Sequence, residues 1–130
     1  MNFNPWAVLV AAASSFVLGG FWYSKLLFGP AWGRASGAPP GGKHRHRVQV
    51  FLVSFVFAVI AAAAFAAHIG PDPSVGTALH RGFVVGAFFV AASFGINYQF
   101  ADRSPILWLI DGGYHTVQFL LFGLVLGLWH

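Results

Sequence analysis

The chain has no cysteine and no glutamate, and its only acidic residues are Asp72, Asp102 and Asp111. Without Cys there is no disulfide and no thiolate nucleophile, so a bound metal would have to be held by His, Asp or backbone oxygen. Without Glu there is no His-Glu-x-x-His zinc helix, and no Gly-x-Ser-x-Gly elbow occurs either, so the usual hydrolytic sets are missing. Catalytic residues are therefore not assigned. Charged residues amount to 8% of the chain, against about one quarter in soluble domains. That scarcity excludes an ordinary water-soluble fold and leaves no room for a separate soluble domain.

What replaces charge is apolar length. Hydrophobic residues make up 58% of 130 positions, enough for four spans of about 20 residues with short connections. The expected fold is an all-α integral membrane four-helix bundle in a single domain, with helices at about 5–28, 48–69, 75–100 and 105–129. Gly29-Pro30 and the stretch Ala38-Pro39-Pro40-Gly41-Gly42 should stop the first helix. Gly70-Pro71-Asp72-Pro73 should turn the second into the third. Ser104 reads as an N-cap for the fourth helix, with Pro105 at its first position. The leader Met1-Asn2-Phe3-Asn4 carries no positive charge, so the first run is expected to be a retained span rather than a cleaved signal.

The net charge of +4 does not point to nucleic acid, because four of the seven basic residues lie between Arg34 and Arg47. A basic cluster beside a span is a topology signal and an attraction for anionic lipid headgroups, here through Lys43, Arg45 and Arg47. With Lys25 and Arg34 also flanking the first loop, Arg103 the third and Arg81 alone near the second, both termini are expected on the outer side. Small residues at four-residue spacing give each span a surface for close approach: Ala11, Ser15 and Gly19; Ala58, Ala62 and Ala66; Gly82 and Gly86; Gly123 and Gly127. They are shared between packing within the chain and an oligomeric contact, and a homo-oligomer is expected because 130 residues enclose little interior. Trp6, Trp22, Trp32, Trp108 and Trp129 fall near helix ends, as in an aromatic belt, with Trp108 as the exception.

The strongest chemical signal is Asp111 with His115, four residues apart inside the last apolar run. An ionisable residue at the centre of a span costs about 2.5–3.5 kcal/mol on insertion scales, so it needs a partner or a purpose. Trp108, Asp111, His115, Gln118 and Phe122 follow 3-4-3-4 spacing and share one helix face. At 1.5 Å per residue, His115 lies roughly 16 Å from Ser104, near the bilayer midplane. The stripe reads either as a proton-handling or ligand-binding centre or as a hydrogen-bonded patch that locks the bundle, with Tyr23, Lys25 or Asn97 as partners from other helices. Lys25 could instead snorkel to the headgroups. At the opposite end, His68, Asp72, His80 and His130 form a second candidate set for a metal ion, without a recognised ligand spacing. A short echo links Gly20-Phe21-Trp22-Tyr23-Ser24 with Gly95-Ile96-Asn97-Tyr98-Gln99, in which only Gly and Tyr repeat.

Gly19-Gly20-Phe21-Trp22-Tyr23-Ser24 through Phe28-Gly29-Pro30-Ala31-Trp32, together with Asp111-Gly112-Gly113-Tyr114-His115, Gln118-Phe119-Leu120 and the run from Gly123 to Trp129, resembles a bacterial membrane family, domain of unknown function seventeen sixty-one. The resemblance covers both ends of the chain. It implies a small multi-pass protein of four helices in the bacterial inner membrane, and it carries no established activity, substrate or cofactor. The matched residues Trp22, Tyr23, Ser24, Tyr114 and His115 are where a shared site is expected. Pro often follows Trp-Tyr-Ser in that pattern, whereas Lys25 stands there here, so a role for Lys25 would be particular to this chain. The readings that follow are a non-enzymatic accessory, structural or transporter-like oligomeric subunit, a proton- or ion-coupled transport unit using Asp111 and His115, or a metal-binding membrane protein.

Overall fold

The computed structural model describes residues 3–37 and 47–130, with nothing stated of the Arg47 side chain. Among these residues there are helices and turns and no strand: α1 (Pro5–Trp22), α2 (Gly29–Ser36), α3 (Arg47–Ile69), α4 (Val75–Phe100) and α5 (Pro105–Leu128). Four of them, all but α2, are long and apolar enough to cross a membrane. The loop cations Lys43 and Arg45 lie outside the described residues.

Capping follows the sequence. The side chain of Asn4 accepts from the amides of Trp6 and Ala7, that of Ser74 from Thr77, and that of Ser104 from Ile106 with Pro105 in the first turn. Each satisfies a helix-start amide that would otherwise lack a partner. Gly70, at φ +89°, takes the left-handed conformation that ends α3.

One boundary differs from expectation. The first helix stops at Trp22 rather than continuing to Phe28, and Gly29-Pro30 begins a new helix instead of ending one. Proline suits a first helical turn because its missing amide has no partner there in any case. Gly29 is required by closeness: a Cβ would lie 2.6 Å from the Tyr23 carbonyl oxygen and 2.7 Å from that of Ser24. The turn thereby brings α2 back under the end of the bundle.

The helices differ in position: α5 is central and packs on α1, α2 and α4, whereas α3 packs chiefly on α1 at the periphery. In a bilayer, apolar surface gains little by leaving lipid for protein, so association rests on close packing and hydrogen bonds. The α4–α5 contact is built from glycines on both sides. A Cβ on Gly82 would sit 2.3 Å from the Phe119 carbonyl oxygen, and one on Gly123 would sit 2.4 Å from that of Ala78. Gly86 and Gly127 make similar backbone approaches, so these four positions serve packing within the chain. On α1 and α3, Ala11, Ser15, Ala58, Ala62 and Ala66 are likewise buried.

Between Val84 and Val90, α4 widens into a π-helical stretch that closes with the Ala91 amide on the Gly86 carbonyl. The indole of Trp108 donates to the Ala91 carbonyl at 2.7 Å where the regular helix resumes. Such widened turns commonly occur at functional sites.

Candidate functional site

Asp111 is buried, and both of its carboxyl oxygens are occupied. Oδ1 accepts from the Tyr23 hydroxyl at 2.6 Å and from the Trp32 indole at 3.1 Å, and Oδ2 accepts from the Tyr98 hydroxyl at 2.5 Å. The donors come from the end of α1, from α2 and from α4. One carboxyl group on α5 therefore joins four parts of the chain. The Trp32 indole can only donate, and both phenols are placed as donors, so the Asp111 carboxyl is the shared acceptor of the three. Burial, then the facing Asp111 carboxyl, pushes the Tyr23 phenol well above its usual range, which keeps it a donor.

Neighbouring contacts hold the same corner. The Trp22 indole donates to the Ile110 carbonyl at 2.9 Å, and the Tyr114 hydroxyl donates to the Ser15 carbonyl at 2.9 Å. The Tyr23 ring meets Trp32 nearly edge-on, with centroids 6.2 Å apart. Arg103 donates to the Ser36 carbonyl at 3.0 Å, placing a cation at the C-terminal end of α2 where the helix dipole favours it.

His115 belongs to a different environment. It does not hydrogen-bond Asp111; its Nδ1 faces the Gln118 carboxamide oxygen at 2.7 Å. Its ring stacks on Phe94, with centroids 4.9 Å and planes 16° apart, and meets Tyr114 edge-on. His115 and Gln118 line a cleft of about 900 Å³ between α3 and the wall formed by α1, α4 and α5. The stripe read from sequence thus faces the bundle as a unit, with Asp111, Gln118 and Phe122 buried, but it divides into a latch and a cleft wall.

The remaining candidates separate. Ser24 serves its own turn, donating to the Phe21 carbonyl at 2.7 Å. Lys25 and Asn97 are exposed and neither bonds Asp111, so the Lys25–Asp111 ion pair is not formed. At the far end Asp72 meets His130 at 2.9 Å, while His68 and His80 are exposed apart from that pair. Among the described residues no three His or Asp side chains are grouped to hold a metal ion. The headgroup candidates Lys43, Arg45 and the Arg47 side chain fall outside the described residues.

Trp32 and Tyr98 were missed as site residues. Trp32 looked like a belt anchor, yet its indole is spent on Asp111, and the indoles of Trp22 and Trp108 are also bonded within the bundle. Tyr98 sat in the short echo: the two tyrosines that repeat, Tyr23 and Tyr98, are the two phenols on the two oxygens of Asp111.

The family model described as protein of unknown function (DUF1761) matches residues 6–127. The chain belongs to this family. The match takes in the latch of this DUF1761 member, from Tyr23 to Asp111, and the His115 wall of its cleft. No curated protein and no solved structure matches the chain.

Proposed function

We propose that the protein is a non-enzymatic, multi-pass bundle of the bacterial inner membrane, acting as an accessory or structural subunit in a homo-oligomer, with Asp111 as the latch of its fold. The observation that carries this reading is that both oxygens of Asp111 are taken up by donors from three other elements. Three of the roughly four acceptor positions of this carboxyl group are directed at fixed aromatic donors, which supports a holding role over proton relay or ion coordination. Lys25, Arg34 and Arg103 flank the latched end, which supports placing that end at the cytoplasmic side near anionic headgroups.

Proton- or ion-coupled transport is the second reading, and the placement of His115 on a cleft favours it. Proteoliposomes loaded with a pH-sensitive dye decide between the two. Under an imposed potential the latch reading expects no flux above empty vesicles. Flux that is lost in His115→Ala, with assembly intact, replaces it by the transport reading. The metal reading has the least support, since only Asp72 and His130 of its four residues meet.

A further inference from the structure

The cleft beside His115 shares only Tyr23 with the latch. Its walls are chiefly apolar, including Phe51, Phe57, Ile60 and Phe119, and its volume of about 900 Å³ falls within the usual range for small-molecule sites. Ser54 on α3 apart, its polar side chains gather at the end of α1 and on α5, and most are already engaged. The Tyr23 hydroxyl donates to Asp111, the Tyr114 hydroxyl to Ser15, and the Gln118 oxygen faces His115 Nδ1. With Nδ1 donating to that oxygen, His115 Nε2 carries a lone pair and has no protein partner among the described residues. The amide NH₂ of Gln118, held beside the ring, supplies a donor. Stacking on Phe94 fixes the imidazole plane, so the acceptor is pre-positioned.

We propose that this cleft binds a single-chain amphiphile with a small uncharged hydroxyl head, taken laterally from the bilayer, with the hydroxyl donating to His115 Nε2. Depth selects the class. The cleft runs from Tyr23 and Val50 at the latched end of the spans to His115, which is roughly 16 Å along α5 from its start. A phospholipid headgroup belongs at the interface, and a charged head would be stripped of water at this depth at a cost of several kcal/mol on insertion scales. A hydroxyl both donates and accepts, which complements the lone pair of His115 and the amide of Gln118. The alkyl chain then occupies the apolar wall presented by α3. The proposed head site at His115 and Gln118 uses neither Asp111 nor the Trp32 and Tyr98 donors of the latch.

The test uses the full chain in nanodiscs with a diazirine-bearing hexadecanol as photoprobe and mass spectrometry of the labelled peptides. Saturable labelling of α3 and α5 is expected, displaced about tenfold better by hexadecanol than by hexadecane, as one added hydrogen bond allows. His115→Phe, which keeps a ring against Phe94, should abolish that preference. Ala61→Trp should block the cleft and cut labelling about as strongly as excess hexadecanol does. Equal displacement of the wild type by alcohol and alkane identifies ordinary lipid tails and overturns the proposal. So does labelling that neither variant lowers, or cross-linking that places a second copy of the chain in the cleft. Should a variant fail to fold, the wild-type competition still decides.

Discussion

Replacing Asp111 by Ala and by Asn separates a latch from a charge carrier. In Asp111→Ala three donors lose their acceptor together, the hydroxyls of Tyr23 and Tyr98 and the indole of Trp32. A buried donor left unpartnered costs about 1–3 kcal/mol, so the gross loss is roughly 3–9 kcal/mol. Removing an ionisable group from an apolar span returns about 2.5–3.5 kcal/mol. The middle of these ranges leaves a net destabilisation of roughly 3 kcal/mol. Asparagine is different, because its carbonyl can take the bonds from Tyr23 and Trp32 while its amide donates to the Tyr98 hydroxyl. It forfeits charge assistance but also the burial of charge, so Asp111→Asn is expected within about 1 kcal/mol of wild type. Reversible unfolding in mixed dodecylmaltoside and dodecylsulfate micelles, followed by tryptophan fluorescence, measures both. Wild-type stability in Asp111→Ala refutes the latch. A loss in Asp111→Asn as large as in Asp111→Ala shows that the charge itself is needed and returns the residue to a proton-handling role.

Further outcomes concern packing, a single hydrogen bond and the far-end ion pair, with each cost in stability read by the same unfolding assay. Gly123→Val forces a side chain into a space where a Cβ already lies 2.4 Å from the Ala78 oxygen, so it should cost about 1–3 kcal/mol or prevent folding, whereas Gly33→Ala on α2, with nothing within 4 Å, should be neutral or slightly stabilising. Tyr114→Phe removes the bond to the Ser15 carbonyl and should cost about 1 kcal/mol; no change would show that the hydroxyl is idle. His130→Ala should cost less than about 1 kcal/mol, because its partner Asp72 is exposed. Added zinc should leave the melting temperature unchanged, and a rise of several degrees that is lost in His130→Ala would restore the metal reading.

The spans and the Ser104 cap are legible because hydrophobic length and N-cap chemistry are local. Ser104-Pro105 and the turn after Gly70 needed nothing beyond their neighbours. The bend after Trp22 was not legible, since Gly29-Pro30 reads equally as a helix end and as a helix start. What decides between them is the return of Trp32 to a carboxylate 79 positions later in the chain. Asp111 and His115 stand out as ionisable residues in an apolar run, and helix spacing alone puts them on one face. Their division into two environments was hidden because spacing reports direction and not partner. Tyr23 is one of three partners that the sequence offers the stripe, beside Lys25 and Asn97, while Tyr98 is visible only in an echo too short to carry weight. Tryptophans near span ends look alike in sequence whether the indole faces headgroups or a carbonyl.

The order of the latch along the chain has a consequence for biogenesis. Tyr23, Trp32 and Tyr98 are all synthesised before Asp111, so three donors wait while the helices that carry them enter the membrane. Only when the last span arrives does a single acceptor satisfy them together. A chain that stops before α5 has no Asp111 to accept from these donors, so the latch closes only with the last span in place.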